Sequence, residues 1–150
     1  MTSGIDTNIL CYALDGAFPE HKRAAELLRE LSPEKPLAIN PTVLHECYHT
    51  LVYAQRWLRE DARTRLVSVV KNPNVSFFNQ TKSISVVALS LAEKYTLGGR
   101  DSVILANFLT NRASEVLTHD SDLLDLKEVS WRGRKMMIRD PLEGARAAGR

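Results

Sequence analysis

The apolar positions of this 150-residue chain fall into short runs that alternate between two patterns. Gly4-Ile5-Asp6 reads as the end of a first strand, and Thr7 to Leu14 as a short helix directly after it. Over His21–Leu31, Ala24, Leu27, Leu28 and Leu31 recur at helical spacing, which predicts an amphipathic helix broken by Ser32-Pro33-Glu34-Lys35-Pro36. Leu37-Ala38-Ile39 is a short buried strand. Asn40-Pro41 then supplies a capping side chain followed by a proline at the first helical position, where its missing N–H costs nothing. That helix is expected to run to about Trp57. A further helix, capped by Asp61, should cover Ala62 to Val70 and stop at Lys71-Asn72-Pro73-Asn74. Val75-Ser76-Phe77-Phe78 reads as a strand. Ser83 to Thr96 reads as a helix with Ile84, Val87, Ala88, Leu91 and Tyr95 inward, stopped by Gly98-Gly99. Asp101 opens another helix, through Leu109. Glu115 to Thr118 and Lys135 to Ile138 are the last strands expected, with Arg132, Arg134 and Lys135 in or beside a polar turn. Strands with continuous apolar cores, separated by helices, predict an α/β domain: a parallel sheet wrapped by helices, with helix predominating.

Composition narrows the class. Hydrophobic residues make up 44% and charged residues 25%, ordinary globular values that exclude fibres and disorder. No apolar run approaches the ~18 residues that span a bilayer, and the N-terminus carries neither a basic nor an apolar targeting segment. These features predict a single cytoplasmic domain away from membranes. The two cysteines, Cys11 and Cys47, are too far apart for a metal knuckle and read as reduced core residues. Twenty basic against 18 acidic side chains leave a net charge of +2, which permits nucleic-acid binding without arguing for it.

The candidate chemistry lies at the ends of the elements. Asp6 follows the first strand, Asp120 follows the strand ending at Thr118, and Asp101 starts a helix after two glycines. The carboxyl ends of parallel strands form the crevice where ligands bind, so these acids are expected on one rim. Taken singly, each has a plain structural role: Asp6 and Asp101 as helix caps, Asp120 as a turn residue helped by Ser121-Asp122. Taken together they repel, and tolerate proximity only by protonating or by sharing a cation. An all-oxygen donor set suits Mg²⁺ or Mn²⁺. Glu46 completes the set: it lies with Thr42, His45, His49 and Tyr53 opposite the apolar stripe of Leu44, Cys47, Tyr48 and Leu51.

The same helix holds a competing motif. His45-Glu46-Cys47-Tyr48-His49 is a literal H-E-x-x-H, in which two imidazoles one turn apart bind zinc and the glutamate acts as general base of a protease. A third ligand is needed. Thr50-Leu51-Val52 supplies none, and nothing in the spacing of His21, Glu60, Asp61 or His119 recommends them.

In series, Ile5-Asp6-Thr7-Asn8-Ile9-Leu10, Glu46, Gly99-Arg100-Asp101-Ser102-Val103-Ile104-Leu105-Ala106 and Leu117-Thr118-His119-Asp120-Ser121-Asp122-Leu123 resemble the PIN-domain nucleases. The likeness runs from about Ile5 to Pro141, and departs where His119 stands in place of a small polar residue. It implies a Rossmann-like parallel sheet in one domain over residues 1–143, with a short flexible tail at 144–150. It further implies an acidic pocket holding Mg²⁺ or Mn²⁺ and cleavage of single-stranded RNA by water, leaving a 5′-phosphate and a 3′-hydroxyl. Asp6, Asp101 and Asp120 would be metal ligands and Glu46 a ligand or water-orienting acid. Asn8, Thr118 and Asp122 match the supporting positions. A compact chain of this kind looks most like a VapC-type toxin ribonuclease, a homodimer held inactive by a small antitoxin protein. The alternatives are a free-standing nuclease and a PIN-like module that binds without cutting. Receiver and haloacid-phosphatase readings fail because Asp6 has no second acid beside it; position 8 is Asn8. For substrate contact, Arg100 beside Asp101 is placed to hold a phosphate. Arg56, Arg59, Arg63 and Arg65 form a basic helical hairpin, suited to an acidic partner, and Tyr53 and Trp57 are candidate dimer anchors.

Overall fold

The computed structural model describes residues 1–142. The expected domain end at Glu143 and the tail from Gly144 to Arg150 lie outside the described residues. The elements in chain order are β1 (Ser3–Ile5), α1 (Thr7–Leu14), α2 (His21–Arg29), β2 (Leu37–Ile39), α3 (Pro41–His49), α4 (Arg59–Lys71), β3 (Val75–Phe77), α5 (Lys82–Tyr95), α6 (Gly99–Thr110), β4 (Glu115–Leu117), α7 (Ser121–Leu124), β5 (Glu128–Trp131) and β6 (Arg134–Arg139). The strands form one sheet in the order β3-β2-β1-β4-β6-β5. All neighbours are parallel except β5, which pairs antiparallel with β6. Successive strands step outward from β1 to β3, and the chain then returns to place β4 on the other side of β1. The strand order therefore reverses between β1 and β4, which opens a crevice at their carboxyl ends.

The three residues of β2 are all buried, as expected for a strand covered on both faces. Two helices are apolar on more than one side and belong to the interior: α1, with Ile9, Leu10, Cys11, Ala13 and Leu14 buried, and α6, with Ile104, Leu105, Ala106, Phe108 and Leu109 buried. Gly4 makes the packing of α6 on β1 possible. A Cβ there would stand 2.6 Å from the Phe108 ring, so any side chain would push α6 outward. At the sheet's far face of α6, buried Asn107 donates to Phe78 O (3.0 Å) and accepts from the Asn40 amide (3.3 Å). The Asn40 side chain also accepts from Val43 N (3.0 Å), so one pair of amides joins the start of α3 to α6. Cys11 and Cys47 are free thiols with sulfurs 3.3 Å apart between α1 and α3. Their hydrogen bond, and then burial, push the Cys47 thiol up, which keeps it protonated.

Several boundaries differ from those read off the pattern. The helix from Pro41 does not reach Trp57: it widens into a π-helical turn over Thr50–Ala54 and ends there. This turn swings Gln55 and Trp57 back, so that both donate to buried Asp15 Oδ2 at 3.1 Å. Trp57 is thus half-buried with its indole N–H tied to Asp15, whereas Tyr53 is exposed. The next helix starts at Arg59 after Leu58, so Asp61 is a first-turn acid and not the cap. The helix from His21 ends at Arg29, two residues short. Thr96, in the left-handed conformation, stops α5; Gly98 instead caps α6, which begins at Gly99. The pattern missed β5 and α7. The tight turn into β6 uses Arg132 and Gly133, both at positive φ, as a two-residue hairpin requires.

Candidate active site

Three chain segments deliver acids to the crevice. Asp6 is the residue after β1 and caps α1, its Oδ1 accepting from Thr7 N at 2.8 Å. Its other oxygen accepts from the Thr118 hydroxyl at 2.8 Å, which ties the end of β1 to the end of β4. The same hydroxyl oxygen accepts from Asp120 N (3.1 Å), and Asp120 Oδ1 accepts from Asp122 N (2.9 Å), forming the turn into α7. Asp101 arrives from the third position of α6. The cap there is Gly98, so Asp101 is not used up in capping and its carboxylate is left for the pocket. Glu46 projects from α3 and accepts from the Thr7 hydroxyl at 3.4 Å.

Asp6, Glu46, Asp101 and Asp120 line one pocket of about 290 Å³, together with Thr7, Asn8, Thr50 and Arg100. Its electrostatics are those of crowded like charges. Burial pushes Asp6 above the ordinary carboxylate range; repulsion from Asp101 and Asp120 adds to this, and the Thr118 and Thr7 hydrogen bonds only partly offset it. Burial and then Asp120 raise Asp101. Burial raises Glu46 as well. The nearby Arg100 guanidinium, 3.5 Å from Glu46 Oε2, pulls it back, while Asp6 and Asp101 push it up. Arg100 is itself largely exposed, so this pair is weak and easily opened.

A divalent cation fits this donor set on two observations. Every acid donor is a hard oxygen, and two oxygens at the pocket, Glu46 Oε1 and Asn8 Oδ1, are buried with no hydrogen-bond partner. Among the described residues no three His, Cys, Asp or Glu side chains are grouped tightly enough to hold an ion as they stand. Magnesium does not need them to be, since it commonly takes one or two carboxylates and keeps several waters.

Most of the expected site residues therefore meet. Asp122 is the exception: it is exposed and does not line the pocket, acting on Asp101 only through its charge. The histidines of the H-E-x-x-H motif do not enter the site. His45 and His49 are exposed, the first bonded to Pro41 O (2.9 Å) and the second stacked on Tyr53 with ring centroids 4.7 Å apart. His21 is bonded to Tyr12 O and His119 to Asp140, both away from that helix face. Among the described residues no third His, Cys, Asp or Glu is grouped with them to complete a zinc site. A larger apolar cavity of about 680 Å³ lies between α3 and α4, lined in part by Leu44, Tyr48, Leu66 and the basic Arg59 and Arg63 of the hairpin, and holds none of the acids.

Sequence reasoning missed the buried amide pair Asn40–Asn107, and Tyr12 and Phe18 on the pocket wall. Asn40 was visible as a cap. The others had no signal beyond a polar or aromatic residue in an apolar run.

Comparison with known proteins identifies the fold and the family. A comparison with curated proteins gave no match. Among solved structures, the Mycobacterium tuberculosis VapC20, described as a sarcin-ricin loop cleaving toxin, is similar with a TM-score of 0.71 and 16% identity, over 87% of this chain and 98% of that one. A toxin–antitoxin complex from Klebsiella pneumoniae gives 0.64 and 21%, over 93% and 97%. VapBC-1 from nontypeable Haemophilus influenzae gives 0.63 and 17%, over 94% and 98%. At these identities the likeness establishes the fold. The family model for the PIN domain matches residues 5–129, from the strand before Asp6 to beyond the Asp120 turn. The chain belongs to the PIN domain family.

Proposed function

We propose that this protein is a Mg²⁺- or Mn²⁺-dependent endoribonuclease acting on single-stranded RNA, the toxin of a toxin–antitoxin pair. The observation that carries the reading is the convergence of Asp6, Glu46, Asp101 and Asp120 on one pocket whose only lining cation among the described residues is the exposed Arg100, with burial and neighbouring carboxylates raising Asp6, Glu46 and Asp101. Crowded carboxylates are costly, and strongly perturbed ones gathered in a cleft mark functional sites. When bound, a divalent ion polarises a phosphodiester oxygen, lowers the pKa of a water and neutralises charge on the leaving oxygen.

The chain's own residues then have separable tasks. Asp6, Asp101 and Asp120 hold the ion. The Thr118 hydroxyl fixes the rotation of the Asp6 carboxylate, and Asn8 braces the same wall. Glu46, with one oxygen unpartnered, orients the attacking water and takes up its proton. Arg100 leaves Glu46 to contact a phosphate of the substrate. Asp122 sets the turn that presents Asp120. In-line attack by the water oxygen on phosphorus breaks the P–O3′ bond, and the departing 3′ oxygen takes a proton from solvent, leaving a 5′-phosphate and a 3′-hydroxyl.

One of the similar structures is a toxin–antitoxin complex and another is a loop-cleaving toxin, which supports a small antitoxin as partner. The resemblance to VapC-type toxins extends the proposal to a homodimer working in the cytoplasm. Among the described residues no helix is long and apolar enough to cross a membrane. The deciding experiment is RNA cleavage by purified protein with Mg²⁺, Mn²⁺, Zn²⁺ or chelator. Cleavage should require Mg²⁺ or Mn²⁺, vanish in Asp6→Asn and persist in His49→Ala. A 2′,3′-cyclic phosphate on the products, or activity retained in chelator, would overturn the proposal.

A further inference from the structure

One wall of the acidic pocket is aromatic. Tyr12, on α1, and Phe18, in the loop after it, both line the cavity that holds Asp6, Glu46, Asp101 and Asp120. Both are half-buried, packing against the core as well as lining the pocket. Their centroids are 5.0 Å apart with planes at 68°, an edge-to-face pair. Tyr12 also meets the His119 ring edge-on at 6.0 Å, and His119 is held by Asp140 at 2.9 Å. Three rings thus run from the turn that carries Asp120 to the loop beyond α1.

The loop is pinned. Buried Asp15 accepts from Ala17 N at 2.9 Å and from Gln55 and Trp57, and its backbone oxygen accepts from Phe18 N at 3.3 Å. The Phe18 carbonyl in turn accepts from His21 N, at the start of α2. Phe18 is therefore presented in a fixed position, which lowers the entropic cost of using it to bind.

The chemistry of the substrate explains why such a wall is useful here. RNA is a polyanion and the pocket is lined with acids, so charge alone disfavours its approach wherever the ion and Arg100 do not reach. Stacking of a base on an aromatic face is attractive without charge, and single-stranded RNA offers unstacked bases. We propose that Tyr12 and Phe18 form a stacking wall that holds a nucleobase of single-stranded RNA beside the phosphate being cut. This inference rests on reading the acidic pocket as an RNA-cleaving site.

The test uses a fluorescein-labelled single-stranded oligoribonucleotide of mixed sequence and a set of copies with an abasic ribose at each position in turn. Binding is measured in chelator and cleavage with Mg²⁺, on wild type, Phe18→Leu, Phe18→Trp and Tyr12→Leu. Leucine keeps the apolar contact and removes the flat face; tryptophan enlarges it. Phe18→Leu and Tyr12→Leu should each weaken binding on the order of tenfold, while Phe18→Trp binds at least as well as wild type. An abasic position should weaken wild-type binding and leave Phe18→Leu binding unchanged. Equal binding by wild type and both leucine variants, the same abasic penalty in Phe18→Leu as in wild type, or no binding by wild type overturns the inference. Wild type that binds with the predicted aromatic dependence but leaves RNA uncut in Mg²⁺ removes the nuclease reading and leaves the wall standing. Metal-dependent cutting that ignores both leucine changes does the reverse.

Discussion

The two ends of β1 and β4 carry carboxylates in opposite condition. At the amino end, Glu115 accepts from the Ser3 hydroxyl at 2.6 Å and from both the Nε and an Nη of Arg139, at 2.9 and 3.1 Å. The Arg139 hydrogen bonds hold Glu115 below the ordinary glutamate range, and the pairing raises Arg139. At the carboxyl end, Asp6, Glu46 and Asp101 stand above theirs, crowded by burial and by each other. The same strands bear both ends, so strand propensity and burial do not account for the contrast. What differs is whether a cation belongs to the chain. Glu115 is met by Arg139, the last residue of β6, and is a finished structural tie. Among the described residues the carboxyl end has only the exposed Arg100 beside its acids, so most of their repulsion is left unrelieved by the chain itself.

Replacing a charge by its neutral isostere should therefore have opposite consequences at the two ends. Asp6→Asn should reduce metal-dependent cleavage by at least about 100-fold, since losing even an outer partner of a metal ligand commonly costs 10–100-fold. It should also raise the melting temperature in chelator, by roughly 3 °C for each ~1 kcal/mol of repulsion relieved. A fall in metal-free melting temperature would break the comparison. Arg100→Ala should weaken RNA binding several-fold and lower the salt slope by about 0.7 for a single strand; unchanged binding would remove Arg100 from the substrate path. Glu115→Gln should cost about 1 kcal/mol of stability, the range for a partly exposed ion pair with good geometry, and leave cleavage at the wild-type rate. His49→Ala should change neither property.

Titration sharpens the same contrast. A carboxyl whose folded pKa exceeds its ordinary value, as for Asp6 above 3.8, keeps its proton longer folded than unfolded. Metal-free stability should accordingly fall as pH rises from about that value through the raised one, and Asp6→Asn should lessen the slope. Glu115 acts in the other direction: its contribution is present above 4.5, the ordinary glutamate value, and is lost as pH falls through its lowered folded value. Denaturant midpoints measured in chelator from acid to neutral pH, for wild type and both variants, separate the two. Parallel curves for all three proteins would mean that neither end is coupled to folding as described.

Much of this site was legible without coordinates because it is written at strand ends. A run such as Gly4-Ile5-Asp6 gives up its apolar pattern where the strand meets the crevice, and Thr118-His119-Asp120 does so again. The short order of strand, acid and helix leaves those acids little freedom. Asp101 was harder to judge: at sequence level it passes for a cap, and only the start of α6 at Gly99 shows it uncommitted. The end of α3 was misread because helical periodicity continues to Trp57, while the buried Asp15 that draws Gln55 and Trp57 out of that helix lies on another element. The β5–β6 hairpin was overlooked because its turn residues, Arg132 and Gly133, look like any polar loop until both adopt positive φ.

Local pattern determined the alternation of strands and helices and the acids at the rim, since each depends on neighbours within a turn or a strand. Tertiary packing decided which polar groups are satisfied. Glu115 meets Arg139 across 24 residues, Asp6 meets Thr118 across 112, and Tyr12 and Phe18 border the acids only because α1 lies beside the pocket. Whether a buried charge becomes a structural tie or a binding site depends on partners distant in the chain, and no local pattern carries that information.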